Sequence, residues 1–211
     1  MRMNPEQRGA QGEQLVSDGL AKLPSTYQRI ANLVVPVNRW STQTTQIDHV
    51  ISCPFGIFVV ETKRFQGTVS GEEHDLLWFQ NLGGRRFAFR NPLNQNRHHV
   101  SVLAHHLKLP SSVFRPVMAF VGLTRLVSPH LPVNVLSTIA PGVPGLRRYI
   151  DQFTQTVLSP QELFTATAKL IDIKNNGLTV EDHLRSIRNC DLGRRLDEAM
   201  RLRRKTHSGN L

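Results

Sequence analysis

Cysteine is scarce in this chain: Cys53 and Cys190 are the only two in 211 residues. A disulfide-stapled fold and every cysteine-rich zinc module are therefore excluded. No run of roughly 18 apolar residues and no hydrophobic leader occurs, which argues against membrane insertion and export. The expected setting is the reducing cytoplasm. Beyond residue 130 there is neither a glycine-rich phosphate loop nor a Cys-x-x-Cys pair, so that part of the sequence carries no ATP-driven or zinc-finger module. Acids are also short, with 16 Asp plus Glu against 26 Lys plus Arg, a formal charge of +10 and a pI near 10.6. Such a balance favours a polyanionic partner through counterion release, nucleic acid ahead of an anionic membrane surface.

What is present is ordinary for a globular α/β protein. Hydrophobic residues make up 39% of the chain, with 14 Gly and 12 Pro, and the length suits one domain with a substantial core. Leu15, Val16, Leu20 and Leu23 recur at helical spacing before Pro24, predicting a first helix that carries Glu13. Three runs rich in β-branched and aromatic residues follow, YQRIANLVVPV, TQIDHVIS and FGIFVVETK, and read as a strand meander. GTVSG, RRFAFR, RPVMAFVG and VNVLSTIA are further strand candidates. A second helix should open at Asn91, with Pro92 in its first turn and Val100, Leu103 and Leu107 on one stripe, and stop at Pro110. Ser159, Pro160 and Glu162 spell a capping box for a third, and TVEDHLRSIRN suggests a fourth. The expected division is a core over residues 1–140 and a helical extension over 141–211 ending in the basic RLRRK.

The stretch QIDHVISCPFGIFVVETKRFQG, residues 46–67, carries the chemistry. Strand alternation puts Ile57, Val59, Glu61 and Lys63 on one face. A loop over residues 53–56 would pair Ser52 with Ile57 and Val50 with Val59, bringing Asp48 opposite Glu61. Carboxylates so placed repel unless they are protonated, paired or bridged by a cation. Lys63 supplies one charge at the next position on that face. Two hard oxygen donors beside open space also suit Mg²⁺ or Mn²⁺. A solvated surface ion cluster is the competing explanation, but both acids interrupt runs that are apolar on both faces, as in a sheet covered on each side.

The ordered set GEQLV with Glu13, IDHVI with Asp48, PFGIFVVETKRFQG with Glu61 and Lys63, Trp78, and NPLNQ with Gln95 resembles the PD-(D/E)xK nuclease superfamily, and within it the nuclease-related domain branch, NERD. The resemblance covers about the first 120 residues. It implies a restriction-endonuclease-like core, a central mixed sheet flanked by helices in αβββαβ order, with the acids at one end of the sheet. It further implies a metal-dependent nuclease using Mg²⁺ or Mn²⁺, with Glu13, Asp48 and Glu61 as metal ligands. Asp48, Glu61, Lys63 and Gln95 are its implied catalytic set, Lys63 assisting the attacking water and Gln95 orienting Lys63 or the phosphate.

Arg64, Arg85, Arg86, Arg90 and Arg97 are candidates for holding a nucleic-acid backbone, DNA favoured over RNA. His49 reads as a packed second-layer residue on the strand face opposite Asp48. His98, His99, His105 and His106 match no familiar zinc spacing and read as a wet polar helix face. Phe87 and Phe89 are expected to face the core. Two functions remain open: a DNA nuclease without strong sequence specificity, and a nucleic-acid-binding scaffold that keeps the fold without turnover. The C-terminal helices are a candidate surface for a protein partner or a second copy.

Overall fold

Helix α1 (Pro5–Leu20) leads into an antiparallel meander of β1 (Gln28–Pro36), β2 (Thr44–Cys53) and β3 (Gly56–Arg64). A computed structural model provides these coordinates and describes residues 5–38, 42–122, 124–128, 130–137 and 144–189. The hairpin turns at Gly56 with φ +135°, where a side chain would meet the Val113 carbonyl oxygen at 2.7 Å. Only glycine suits that backbone. Its register is the one alternation predicts, with Ser52 opposite Ile57 and Val50 opposite Val59.

The chain then builds β4 (Gly67–Ser70), β5 (Leu77–Leu82) and β6 (Arg85–Arg90), followed by α2 (Pro92–Leu107). A 3-10 turn at Ser111–Val113 delivers β7 (Phe114–Val121), and β8 (Thr124–Leu126) and β9 (Val135–Ser137) complete the strands. The central sheet has five strands in the order β1-β2-β3-β7-β9, with β3, β7 and β9 mutually parallel. It is a mixed sheet in the expected αβββαβ order, interrupted by an insertion of β4 to β6. A second, four-stranded sheet, β6-β5-β4-β8, extends beyond its end. β5 was not among the strand candidates because Trp78 is its single buried residue and the alternation is therefore weak.

Helices α3 (Pro144–Ile150), α4 (Pro160–Asn176) and α5 (Val180–Asn189) complete the described chain. One face of the central sheet packs Val50, Ile57 and Val59 against Leu103 and Leu107 of α2 and Ala166 and Leu170 of α4. The other packs Ile51, Phe58 and Val60 against Val16 and Leu20 of α1 and Leu146 and Ile150 of α3. Burial on both faces explains why the strands read as nearly continuous apolar runs. At the junction of the sheets, Trp78 stacks on Phe120 with centroids 5.9 Å apart. Phe89 lies 4.6 Å from Phe65, but Phe87 is 48% exposed, because β6 is an edge strand that outruns this small cluster. The expectation that Phe87 faces the core is thereby corrected.

Local chemistry fixes α2. The Asn91 side chain accepts from Leu93 N–H as the N-cap, with Pro92 in the first turn. Its amide also donates to the carbonyls of Glu73 and Asp75, tying down the preceding loop. One turn on, buried Asn96 donates to the Val59 carbonyl at 3.0 Å and the Val117 carbonyl at 2.9 Å. Pro116, opposite Val59 in the ladder, has no N–H to offer. These bonds set the axial position of α2 over β3.

The capping box at Ser159 and Glu162 forms as the sequence predicts. α5 is bound to the start of β2, where His183 Nδ1 lies 2.8 Å from Thr44 Oγ1 and Thr44 N–H donates to Ser186 Oγ at 3.2 Å. No described helix is long and apolar enough to cross a membrane. Cys53 is a buried free thiol; Cys190 and RLRRK lie outside the described residues.

Candidate active site

Two of the three charges in the hairpin form an ion pair on the α2 side of β3. Lys63 Nζ donates to Glu61 Oε1 at 2.6 Å and to Gln95 Oε1 at 3.1 Å. Glu61 is 2% exposed and Lys63 24%, so the carboxylate is enclosed and the ammonium reaches the surface. The second oxygen of Glu61 meets His99 Nε2 at 3.1 Å, and His99 Nδ1 lies 2.8 Å from Thr45 Oγ1. Both ring nitrogens are satisfied in a site that is itself only 2% exposed. His99 therefore does not belong to a wet polar face, which corrects the reading of the four helix-two histidines for this member. His106 also turns inward, to the Pro36 carbonyl at 2.7 Å. The signal for His99 was its spacing: it follows Gln95 by four residues and lies on the same helical face.

Asp48 reaches the site through a break in strand alternation. The β2–β3 ladder runs from Cys53–Gly56 to His49–Val60 and ends one step short of the Asp48–Glu61 pair. The Asp48 carboxylate instead accepts from the Thr62 N–H at 2.7 Å, taking the place of a ladder acceptor. Across β1, Asn32 adopts left-handed φ +52° between the Ala31–His49 and Leu33–Ile47 pairs. The alternation changes phase there, for Ile47 and Val50 both face the α2 side while Ile51 and Cys53 face α1. His49 turns to the α1 side and meets Ser17 Oγ at 2.9 Å, the packed position expected for it.

Glu13 comes from α1, which approaches β3 closely at Gly12. A side chain at that position would lie 2.9 Å from Arg64 Cβ. The Glu13 carboxyl is half-buried, and its pKa is raised by that burial and by the charge of Glu61, against a lowering contribution from Lys63. Asp48 is held well above its usual value by burial first, then by Glu61 and Glu13, with the Thr62 hydrogen bond opposing. Burial would raise Glu61 too, but the His99 hydrogen bond and the Lys63 ammonium more than offset it and hold that carboxyl below its usual value. The sequence-expected residues Glu13, Asp48, Glu61, Lys63 and Gln95 thus meet in one electrostatically linked group.

Among the described residues, no three or more His, Cys, Asp or Glu side chains are arranged as a ready-made metal cage. The donor chemistry fits a hard divalent cation nonetheless: Glu13 and Asp48 are carboxyls raised first by burial and then by the charge of Glu61, and a cation would relieve both. Lys63 and His99 hold the two oxygens of Glu61.

The candidate arginines divide. Arg90 lines a cavity of about 700 Å³ beside Gln95 and His99. Arg85 and Arg86 are exposed on β6, Arg86 with its guanidinium 3.7 Å above the Phe79 ring. Arg64 packs between Gly12 and Gly122 and lines a second, smaller cavity with Arg8. Arg97 is bound to Glu73 at 3.2 Å and to Asn94 at 2.8 Å, so its charge is already partnered.

The nuclease-related domain (NERD) family profile matches residues 8–121, a span that contains Glu13, Asp48, Glu61, Lys63 and Gln95. An uncharacterized protein of Bacillus anthracis is 37% identical over 100 residues, 47% of this chain and 46% of that protein. The chain thus spans about half the length of the curated relative it matches. No solved structure matches the chain significantly.

Proposed function

This chain belongs to the nuclease-related domain family, and on that premise we propose that it hydrolyses phosphodiester bonds of DNA, without strong sequence specificity, using a divalent metal. The observation that carries the reading is the Lys63 ammonium, suspended between a buried carboxylate and the Gln95 amide at the mouth of a site with two further acids. A module that only binds nucleic acid has no need for a cluster of acids that repels phosphate.

Glu13, Asp48 and Glu61 would hold Mg²⁺ or Mn²⁺, which when bound supplies positive charge for the developing phosphate charge and a more acidic water. The residues of the chain do the rest. Lys63 faces the scissile phosphate, offsets its charge and takes part in orienting the attacking water. Gln95 fixes the lysine side chain from the helix, and its own position follows from the Asn91 cap one turn earlier. His99, braced by Thr45, holds the second oxygen of Glu61 and so sets the plane of that carboxylate. It is a positioning residue rather than a catalytic one. Arg85, Arg86 and Arg90 supply backbone contacts, and DNA is favoured over RNA as the substrate.

A silent nucleic-acid-binding scaffold, with the C-terminal helices engaging a partner or a second copy, is the second reading. One observation favours it: both oxygens of Glu61 are engaged by side chains of the protein, Lys63 and His99. Incubating the protein with supercoiled, linear and single-stranded DNA and with RNA in Mg²⁺, Mn²⁺ or EDTA separates the two. Cleavage that needs the metal and disappears in Glu61→Ala is the expected result. Tight, salt-sensitive binding with every substrate intact would favour the scaffold.

A further inference from the structure

The cavity beside the site is bounded by segments from several parts of the fold, β2 among them through Thr45 and Gln46. Gln95 and His99 of α2 line it, joining it to the residues that hold Lys63 and Glu61. Leu76 and Leu77 at the start of β5 form another part of the lining, with Leu76 83% exposed. His183 contributes from α5, which lies beyond the matched family span of residues 8–121.

Its volume of about 700 Å³ falls in the range of small-ligand pockets. One nucleotide fits such a space, whereas a duplex keeps its bases stacked and paired in its interior and offers nothing to insert unless one is extruded. The lining chemistry matches a nucleobase. Leu76 and Leu77 offer apolar surface for a base face, while the Asn94 amide, its oxygen held by Arg97 at 2.8 Å and its nitrogen donating to the Asp75 carbonyl at 3.4 Å, keeps one N–H to donate. His98 adds a polar ring, its pKa lowered by burial and by the nearby His99, while the His183 ring is already engaged through Nδ1 with Thr44 Oγ1 at 2.8 Å. Arg90 adds a cation suited to an adjoining phosphate.

We infer that this cavity receives one unpaired nucleotide of the substrate strand, adjoining the phosphate held at Lys63, so that single-stranded or locally opened nucleic acid is the preferred substrate. The inference rests on the nuclease reading for the word substrate, but it is tested by binding alone. Three probes of one sequence are compared: a perfect duplex, the same duplex with one bulged 2-aminopurine, and the single strand. Binding is measured with Glu61→Gln protein and repeated with wild-type protein in EDTA, so that neither turnover nor the folding of one variant decides the result.

The bulged duplex and the single strand should bind about 10- to 100-fold more tightly than the perfect duplex, the worth of one well-held base. Emission from the bulged 2-aminopurine should change on binding. Leu76→Trp replaces one of the lining residues with a bulkier ring that narrows the cavity, and should abolish both effects, read as the loss of the bulge advantage over the perfect duplex within that same variant. Equal affinity for perfect and bulged duplexes, or a bulge advantage that survives Leu76→Trp, would overturn the inference. The same probes in RNA distinguish a ribonucleotide from a deoxyribonucleotide occupant. Wild-type cleavage of perfect and bulged duplexes at equal rates would sink the inference and leave the nuclease standing. A bulge preference with no cleavage of any probe would do the reverse.

Discussion

The two sheets of this protein treat charge in opposite ways. The central sheet is covered on both faces, and its polar insertions, the buried acid Glu61 with Thr45, His49, Ser52 and Thr62, must find partners inside the fold. The second sheet has an edge strand, β6, open to solvent, and Arg85, Arg86 and Arg90 lie along it with no acid in the strand. Burial makes the first set expensive and fixed in geometry. Exposure makes the second cheap, mobile and suited to sliding along phosphates. The proposed nuclease would use both, a dry site for chemistry and a wet basic surface for binding, and Arg90 borders the cavity that Gln95 and His99 line.

Breaking the buried set should have the largest effect. Lys63→Ala removes the charge facing the phosphate and strips Glu61 of one partner. Cleavage under single-turnover conditions should fall about 100- to 1000-fold, and urea melts should lose about 3 kcal/mol, as expected when one member of a buried pair is deleted. A variant that keeps wild-type rates would erase the proposed difference between the sheets.

His99→Ala comes next. It leaves a Glu61 oxygen and the Thr45 hydroxyl unpaired in the interior, for an expected loss of about 2 kcal/mol in stability. If His99 positions Glu61, the turnover rate should drop while KM moves little, and His99→Gln should recover part of the rate by restoring a donor. Equal losses in both variants would reduce His99 to packing.

A smaller effect is predicted for acid stability. Burial lowers the His49 pKa from 6.5 to about 4. Between those values the unfolded chain binds a proton that the folded chain refuses, so stability is complete above 6.5 and is lost as pH falls toward 4. The loss is at most about 3 kcal/mol for this group. Urea midpoints measured across the window should fall less steeply with acid in His49→Asn than in wild type; parallel curves would assign the slope elsewhere.

The smallest change belongs to the open sheet. Arg85→Ala with Arg86→Ala should weaken DNA binding several-fold and flatten the salt dependence by about one unit for each phosphate left without its arginine. Stability should stay within about 0.5 kcal/mol of wild type. An unchanged salt slope would remove β6 from the binding surface.

Much of the central sheet was legible in the sequence because its signals are local. The Pro-Gly turn set the hairpin register, and Asn91 with Pro92 set the start of α2. Glu61, Lys63 and Gln95 could be grouped once those two elements were in place. Relations that depend on tertiary packing were hidden. Nothing local announces that Asn32 turns left-handed and shifts the phase of both strands, or that Asp48 therefore bonds a main-chain N–H instead of squarely opposing Glu61. His99 was misread because a buried histidine and an exposed one look alike until Thr45 and Glu61 are known to flank it. Phe87 was misplaced for the converse reason: an apolar alternation on an edge strand promises a core that ends before reaching it. The contribution of α5 to the cavity was invisible as well, since His183 reaches the site through its bond to Thr44, 139 positions away.

The central claim is that the acids clustered at the sheet end bind a divalent metal for hydrolysis, and a Mn²⁺ titration followed by electron paramagnetic resonance tests it most directly, with DNA cleavage assayed in the same samples. The account predicts that wild-type protein takes up Mn²⁺, that cleavage rises over the same concentration range, and that Asp48→Asn loses both while remaining folded. Cleavage that persists in EDTA, or Mn²⁺ uptake unchanged by Asp48→Asn, would contradict it.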